Sequence, residues 1–218
     1  MKYIVKEDQD LLEFEKELYK EGITLIAGTD EVGRGPLCGP VVAAACILPV
    51  GYELEGLNDS KKLSEKKREK LYDIIIKDAV AYAIAEVSPR RIDEINILEA
   101  SKEAMKIAIS KLSVKPEHVL IDACKLDLDI PSTSLIKGDA RSASIAAASI
   151  LAKVYRDRLM VEMDKVYPEY GLAKHKGYPT KAHIESVKQY GVKDFYRFTF
   201  SPISEIIKDE KDGVDSWW

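Results

Sequence analysis

The chain has 218 residues, of which 46% are hydrophobic and 32% charged, and its net charge is −4. This composition is typical of a folded globular protein and excludes a disordered chain. The sequence has no apolar run near the roughly 20 residues that a spanning helix needs, which argues against a membrane protein. The N-terminus is too acidic and too interrupted for a secretory signal, so we expect a cytoplasmic protein.

Hydrophobic spacing predicts the secondary structure along the chain. The expected helices cover residues 8–20, 64–77, 89–112, 142–165 and 180–190, and the expected strands cover 23–29, 41–48, 79–87, 118–122 and 132–137. Gly22 ends the first helix, and Ser64 begins the second with an imperfect capping pattern. The first two strands lie so close together in sequence that we expect an antiparallel hairpin with a longer, shaped connection.

This order of elements predicts an α/β fold with a mixed sheet of about five strands, flanked by helices and followed by further helices. We expect an N-terminal helical extension over 1–21, a catalytic domain over 22–204 and a flexible acidic and aromatic tail over 205–218. Trp217 and Trp218 at the end of that tail either fray or dock on a partner. We expect a monomer.

Cysteine and lysine positions limit the kinds of site that the chain can form. Three cysteines without close spacing predict reduced thiols rather than a disulfide or zinc framework; they are Cys38, Cys46 and Cys124. Positive charge is concentrated in two segments, which contain Lys61, Lys62, Lys66, Lys67 and Arg68 in one and Lys174, His175, Lys176 and Lys181 in the other. Each segment is either a solvated surface or a local contact for nucleic acid.

Acidic residues follow predicted strands at three places. Asp30 and Glu31 come after the strand over 23–29, Asp122 closes the strand over 118–122, and Asp139 precedes the long helix. Each acid alone has a structural explanation, because acids occur at strand ends and at helix N-termini. Ser142 or Ser144 could cap the long helix instead of Asp139. The nearby Asp127 and Asp129 are expected to be solvated.

The shared position of the four acids favours a single site. Adjacent strands of one sheet could bring these ends together, and four carboxylates suit Mg²⁺ or Mn²⁺ rather than zinc. Two such ions, about 3.5–4 Å apart, can activate water and stabilise the leaving oxygen of a phosphodiester. The turn Gly33-Arg34-Gly35 offers backbone groups and a guanidinium for a sugar hydroxyl and a phosphate. His175 and His183 have no serine in a nucleophile context.

Four segments resemble ribonuclease HII, the type 2 ribonuclease H, in the order that this family has them. They are residues 27–45, 58–64, the stretch from 136 through 157, and 170–180. The resemblance implies an RNase H-like core and a catalytic, metal-binding quartet of Asp30, Glu31, Asp122 and Asp139. Around Asp122 the match is loose, because Ala123 to Lys125 follow where the family often has a glycine.

The same resemblance assigns residues that bind the substrate. It implies that Gly33, Arg34 and Gly35 contact the ribose 2′-hydroxyl beside the scissile phosphate, and that Tyr178 stacks on the following deoxyribose. The phosphate contacts would come from Lys61, Lys174 and Lys176.

We therefore hypothesise an endonuclease that hydrolyses the phosphodiester 5′ to a ribonucleotide, with two Mg²⁺ or Mn²⁺ ions, and leaves 3′-hydroxyl and 5′-phosphate ends. Its substrates would be RNA·DNA hybrids and duplex DNA that contains single ribonucleotides. One alternative is a non-catalytic module that binds nucleic acid through its lysines. Another is a DNA-only nuclease or resolvase with the same acids, and a substrate without the ribonucleotide separates it from our hypothesis.

Overall fold

The computed structural model describes residues 10–58, 60 and 63–215, with side chains through residue 209. The chain forms two compact units. The first consists of the chain up to Glu31, residues 43–85 and residues 104–154, and the second of residues 32–42, 86–103 and the chain from Tyr155 onward. The domain boundaries that we expect from the sequence remain a prediction.

The first unit contains most of a five-stranded sheet. Its strands are β1 (Ile26–Val32), β2 (Val41–Ile47), β3 (Ala81–Val87), β4 (His118–Asp122) and β5 (Ser132–Leu135). Their spatial order is β3-β2-β1-β4-β5, and β1 pairs with β4, and β4 with β5, in parallel. The apolar strand β2 is buried along its whole length. The expected mixed sheet of five strands flanked by helices is confirmed.

The helices largely follow the predicted positions. They are α1 (Glu13–Lys20), α2 (Glu65–Asp78), α3 (Pro89–Ser110), α4 (Ala143–Val166), α5 (Leu172–His175), α6 (Lys181–Tyr190) and α7 (Ile203–Asp215). Ser64 caps α2 as expected, because its hydroxyl accepts from the Lys67 amide. The prediction of one continuous helix over 89–112 is wrong at Asn96, where φ is +68° and the side chain caps a restarted helix.

Two boundaries differ from the sequence expectation, and the first of them concerns the predicted site. Strand β1 continues through Asp30 and Glu31 to Val32, instead of ending before them. Pairing with neighbouring strands outweighs the local preference of acids for turns. At the other end, α7 is helical where we predicted a flexible tail from residue 205. Trp217 and Trp218 lie outside the described residues.

Helix α1 holds the N-terminus of α4. The Glu15 side chain is 1% exposed, and one of its oxygens accepts hydrogen bonds from Ser142 Oγ (2.6 Å) and the Ser144 amide (3.0 Å). The Leu11 carbonyl accepts from the Ala143 amide (2.8 Å). Amides at a helix start need such partners. These contacts fix the point where the chain enters α4, just after Asp139.

The second unit has a core of its own, formed by apolar side chains of α4, α6 and α7, of the loops between these helices and of the segment between β1 and β2. Its buried members include Leu37, Met160, Tyr170, Tyr196 and Ile203. The three cysteines are free thiols, as predicted, and burial raises the pKa of Cys38 and Cys46 to about 12. Over the described ranges, no helix is long and apolar enough to cross a membrane.

Gly28 lies where β1 passes closest to α4, and its replacement gives a sharp test of this packing. A Cβ at Gly28 would lie 2.0 Å from the Ser144 carbonyl carbon and 2.2 Å from the Ile145 amide nitrogen. Because both atoms are backbone, we expect Gly28→Ala to lower the free energy of unfolding by about 3 kcal/mol or more in urea denaturation. The control Gly22→Ala, with φ +82° and nothing within 4 Å, should lose only about 1 kcal/mol. If both variants lost the same free energy of unfolding, the close approach of Gly28 to the α4 backbone would be contradicted.

Candidate active site

The strand register places two of the predicted acids side by side. Thr29 of β1 pairs with Ile121 of β4, so the next residues in each strand, Asp30 and Asp122, stand at the same level. Asp122 in turn pairs with Leu135 of β5. Because all three strands are parallel, their carboxyl ends meet at one edge of the sheet.

Asp139 reaches this edge through a short connection after β5. Lys137 has φ +57° and leads into a 3₁₀ turn over Gly138–Ala140, in which Asp139 is 6% exposed. The Gly138 amide donates a hydrogen bond to Asp122 Oδ1 (2.5 Å). A Cβ at Gly138 would lie 2.6 Å from Ile145 Cδ1 and 3.1 Å from Asp122 Oδ1. A glycine therefore lets this turn pack against Ile145 and approach the Asp122 carboxylate.

The four predicted acids influence each other electrostatically. Asp30 is 6% exposed, and its pKa is raised well above the usual value, foremost by burial and then by the charges of Glu31, Asp122 and Asp139. A hydrogen bond from Ser149 acts in the opposite direction. The Glu31 amide also donates to Asp30 Oδ1 (2.7 Å). The charges of Glu31, Asp122 and Asp139 therefore all act on the buried carboxyl group of Asp30.

A competing structural role for Asp139 is filled by other groups. The amides at the start of α4 are capped by Ser142, whose hydroxyl accepts from the Ile145 amide (3.2 Å), and by Glu15. Ser142 was one of the two serines that we considered for this cap. The helix start therefore does not depend on Asp139 as its cap.

The acids fit a hard divalent cation by their chemistry. Carboxylate oxygens are the preferred ligands of Mg²⁺ and Mn²⁺, and a cation would relieve the burial and repulsion that raise the pKa of Asp30. Within the described part of the chain, no three His, Cys, Asp or Glu side chains are close enough to form a complete metal-binding group.

The second unit contains the glycine-rich turn, which a buried arginine holds from inside. Gly33 has φ +96°, a conformation that favours glycine. The fully buried Arg197 donates to the carbonyl oxygens of Gly33 (2.5 Å), Arg34 (3.0 Å), Pro36 (2.8 Å) and Gly39 (3.0 Å). One guanidinium thus fixes four carbonyls of a seven-residue segment.

A second buried arginine joins this segment to the one that carries Tyr178. Arg156 of α4 donates to the carbonyls of Cys38 (3.1 Å), Pro40 (3.1 Å) and Lys176 (3.0 Å). A Cβ at Gly33 would lie 2.4 Å from Arg156 Nε. The backbone around Gly33 is therefore packed directly against this guanidinium. Burial lowers the pKa of Arg156, and lowers that of Arg197 to about 9.

The predicted substrate-binding residues are only partly brought together. Within the second unit, a Cβ at Gly35 would lie 3.5 Å from Tyr178 Cε1, and the Tyr178 side chain is 40% exposed. Lys174 is exposed, whereas the Lys176 ammonium donates to the Ala173 carbonyl. Lys61 lies outside the described residues.

Two stacked histidines support the Tyr178 segment. The rings of His175 and His183 stack with centroids 4.1 Å apart. His183 Nδ1 donates to the Tyr178 carbonyl (2.9 Å), so Nε2 must accept from the Tyr196 hydroxyl (2.9 Å). Burial lowers the pKa of His175, and it lowers that of His183 to about 4, so the His183 ring is neutral at pH 7.

The sequence did not predict a role for the residues that hold the predicted site residues in place. Arg156, Arg197 and Ser149 act through contacts with residues far away in the chain, which no local pattern reveals. Arg156 lies in a segment that resembles the family, but its partners are backbone carbonyls that every sequence possesses. For His183, we noted its helix and gave it no role.

Comparison with known proteins identifies close relatives. The family model described as ribonuclease HII matches residues 27–202. The ribonuclease HII of Bacillus cytotoxicus is 57% identical over 201 residues, which cover 92% of this chain and 78% of that protein. The ribonuclease HII of Bacillus cereus strain B4264 is 55% identical over 199 residues, with 91% and 77% covered.

Solved structures share the fold. The ribonuclease H2 of Pyrococcus horikoshii OT3 has a TM-score of 0.74 at 29% identity, covering 85% of this chain and 98% of that one. RNase HII from Archaeoglobus fulgidus, solved in complex with PCNA, has a TM-score of 0.69 at 27% identity, covering 81% and 95%. Bst-RNase HIII in complex with Mn²⁺ has a TM-score of 0.67 at 17% identity, covering 86% and 70%, and shows the fold alone.

The contact between Gly33 and Arg156 can be tested with two glycines of similar conformation. We expect Gly33→Ala to lower the free energy of unfolding by about 2–5 kcal/mol, because backbone strain adds to the clash with the guanidinium. Gly51→Ala, with φ +69° and nothing within 4 Å, reports the strain alone. Urea denaturation of both variants isolates the clash. If Gly33→Ala loses no more free energy of unfolding than Gly51→Ala, the close contact between Gly33 and Arg156 is contradicted.

The neutral His183 predicts how stability depends on pH. Its pKa is about 4 in the folded chain and about 6.5 when unfolded, so only the unfolded chain binds a proton between these values. Its contribution is complete above about pH 6.5 and declines toward pH 4, by at most about 1.4 kcal/mol per pH unit. Urea denaturation from pH 7 to 4.5 should show a smaller decline for His183→Gln. The control variant at the half-buried His118, His118→Gln, should keep most of the wild-type decline in the free energy of unfolding. If wild type and His183→Gln declined equally with pH, the low pKa of His183 would be wrong.

Proposed function

The chain belongs to the ribonuclease HII family of metal-dependent endonucleases, and on that premise we propose that it hydrolyses the phosphodiester 5′ to a ribonucleotide. RNA·DNA hybrids and single ribonucleotides within duplex DNA are both substrates in this proposal. The products carry 3′-hydroxyl and 5′-phosphate ends. The single observation that supports this proposal most is the strand register that sets the buried Asp30 level with Asp122, whose carboxylate accepts from the Gly138 amide next to Asp139.

In this proposal, Asp30, Glu31, Asp122 and Asp139 hold two divalent ions, Mg²⁺ or Mn²⁺. Bound there, the ions supply an activated water and a stabilised leaving oxygen. The residues themselves contribute a fixed arrangement of negative charge. The Gly138 amide orients Asp122, and Ser149 orients Asp30, so little reorganisation is needed when the substrate arrives.

The second unit supplies recognition of the ribose. Arg34 and Gly35 are exposed on a turn whose carbonyls Arg197 holds from inside, and these two residues with Gly33 would contact the 2′-hydroxyl. Tyr178 is exposed next to Gly35 and would stack on the deoxyribose that follows. In sequence, Gly33 comes two residues after Glu31. Lys61, Lys174 and Lys176 would contact phosphates.

Asp139 offers the most direct test of the metal site. We expect Asp139→Asn to fold normally and to lose on the order of 100-fold or more in Mg²⁺-dependent cleavage, because a neutral amide is a weaker ligand. The measurement is single-turnover cleavage of a DNA duplex with one ribonucleotide. Asp127→Asn is a matched control, since Asp127 is an exposed acid after β4, and it should cut at the wild-type rate.

The substrate in the same assay separates the alternatives. The all-DNA duplex should remain intact, and the cut in the ribonucleotide duplex should map to its 5′ side. Wild-type cleavage by Asp139→Asn would show that the quartet is wrong. Equal cutting of the all-DNA duplex would favour a DNA nuclease, and salt-sensitive binding without cutting would favour a binding module.

A further inference from the structure

We propose that Ser60 and Ser149 form a hydroxyl relay that positions the Asp30 carboxylate and ties it to the loop before α2. The inference rests on the proposed function, because it assigns positioning residues to the same acid site. Ser149 lies on α4 and Ser60 lies in the loop before α2, 89 residues apart in sequence.

The three groups of the relay are buried and in contact. Ser60 is 3% exposed, Ser149 4% and Asp30 6%. The two hydroxyl oxygens are 2.9 Å apart, and a hydrogen bond from the Ser149 side chain lowers the pKa of Asp30 against the effect of burial. Buried hydroxyls without partners are costly, and this chain of contacts provides a partner for each.

The chemistry of the groups fixes the direction of the relay. When Asp30 is ionised, as metal binding requires, its carboxylate can only accept, so the Ser149 proton points to Asp30. The Ser149 oxygen is then left with lone pairs toward Ser60, and the Ser60 hydroxyl must donate to it. Each serine therefore orients the next group, and Asp30 receives a donor that limits its side-chain rotation.

The loop at the other end of the relay is anchored on both sides. Arg68 of α2 donates to the Ser60 carbonyl (3.1 Å) and to the Leu63 carbonyl (2.5 Å). The Leu63 amide also donates to the Ser60 carbonyl (3.4 Å). Lys61, which we propose as a phosphate contact, is the next residue after Ser60 in the chain. A shift of Ser60 would therefore act on Asp30 through Ser149.

The relay assigns different effects to the two serines. Ser149→Ala removes the donor to Asp30, and we expect the Mg²⁺ concentration for half-maximal cleavage to rise on the order of 10-fold. Ser60→Ala keeps the Ser149 hydroxyl but removes the group that orients it, so the rise in the Mg²⁺ concentration for half-maximal cleavage should be smaller. In the double variant Ser60→Ala/Ser149→Ala, catalysis should equal that of Ser149→Ala, because Ser60 acts only through Ser149.

Stability should follow a different order from catalysis. Ser149→Ala leaves the buried Ser60 hydroxyl without its acceptor, whereas the double variant removes both hydroxyls. The double variant should therefore unfold at a higher urea concentration than Ser149→Ala while cleaving no faster. A merely structural role would make cleavage recover together with stability.

Hydrogen–deuterium exchange without metal or substrate tests the relay independently of activity. Amides in a peptide covering 57–63 should exchange on the order of 10-fold faster in Ser149→Ala than in wild type. Ser101→Ala is the matched control, because Ser101 is 2% exposed and its hydroxyl donates to Ile97 of its own helix (2.8 Å). It should leave both exchange and Mg²⁺ dependence unchanged.

The outcomes distinguish the relay from the proposed function. The relay is overturned if Ser149→Ala keeps wild-type exchange over 57–63 and wild-type Mg²⁺ dependence, or if the two serine effects multiply in the double variant. If wild type fails to cleave the ribonucleotide duplex while exchange still rises in Ser149→Ala, the proposed function fails and the structural link remains.

Discussion

The parallel register between β1 and β4 is the constraint on which the candidate site depends. It places Asp30 at the level of Asp122, and a slip of one residue would turn the Asp30 side chain to the other face of the sheet. Gly28 maintains the position of β1, because the α4 backbone occupies the space that a side chain at this residue would need. The convergence of negative charge is thus imposed by packing, which offsets a repulsion that the acids alone would relieve by moving apart.

Much of the fold could be predicted from the sequence, because its apolar segments have clear periodicity and its strand ends carry acids. The strand over 118–122 has the bounds we expected. The end of β1 was misplaced because Asp30 and Glu31 look like turn residues, although neighbouring strands keep them extended. The break at Asn96 also went unseen, since one left-handed residue leaves the apolar spacing on either side intact.

The site could be predicted only as a list of acids and a turn. What the sequence did not reveal is how these residues are held, because the supporting contacts join distant parts of the chain. Ser149 lies in an alanine-rich helix that seemed notable only for close packing, and Ser60 lies beside lysines that drew attention to charge. Their 2.9 Å contact depends on how α4 and the loop before α2 are arranged in the first unit, which no local pattern encodes.

Arg156 and Arg197 have a consequence beyond holding the turn. All the hydrogen bonds that they form with described residues go to backbone carbonyls, which are dipoles and cannot neutralise a full charge. Burial has the largest effect and lowers the pKa of both arginines, although the carboxylates of Asp157 and Asp93 raise the pKa of Arg156 and Arg197 respectively. Two positive charges therefore remain beneath the glycine-rich turn of a chain whose net charge is −4. Because the protein interior screens a charge less than water does, we expect their field to favour an anion over a cation at this turn.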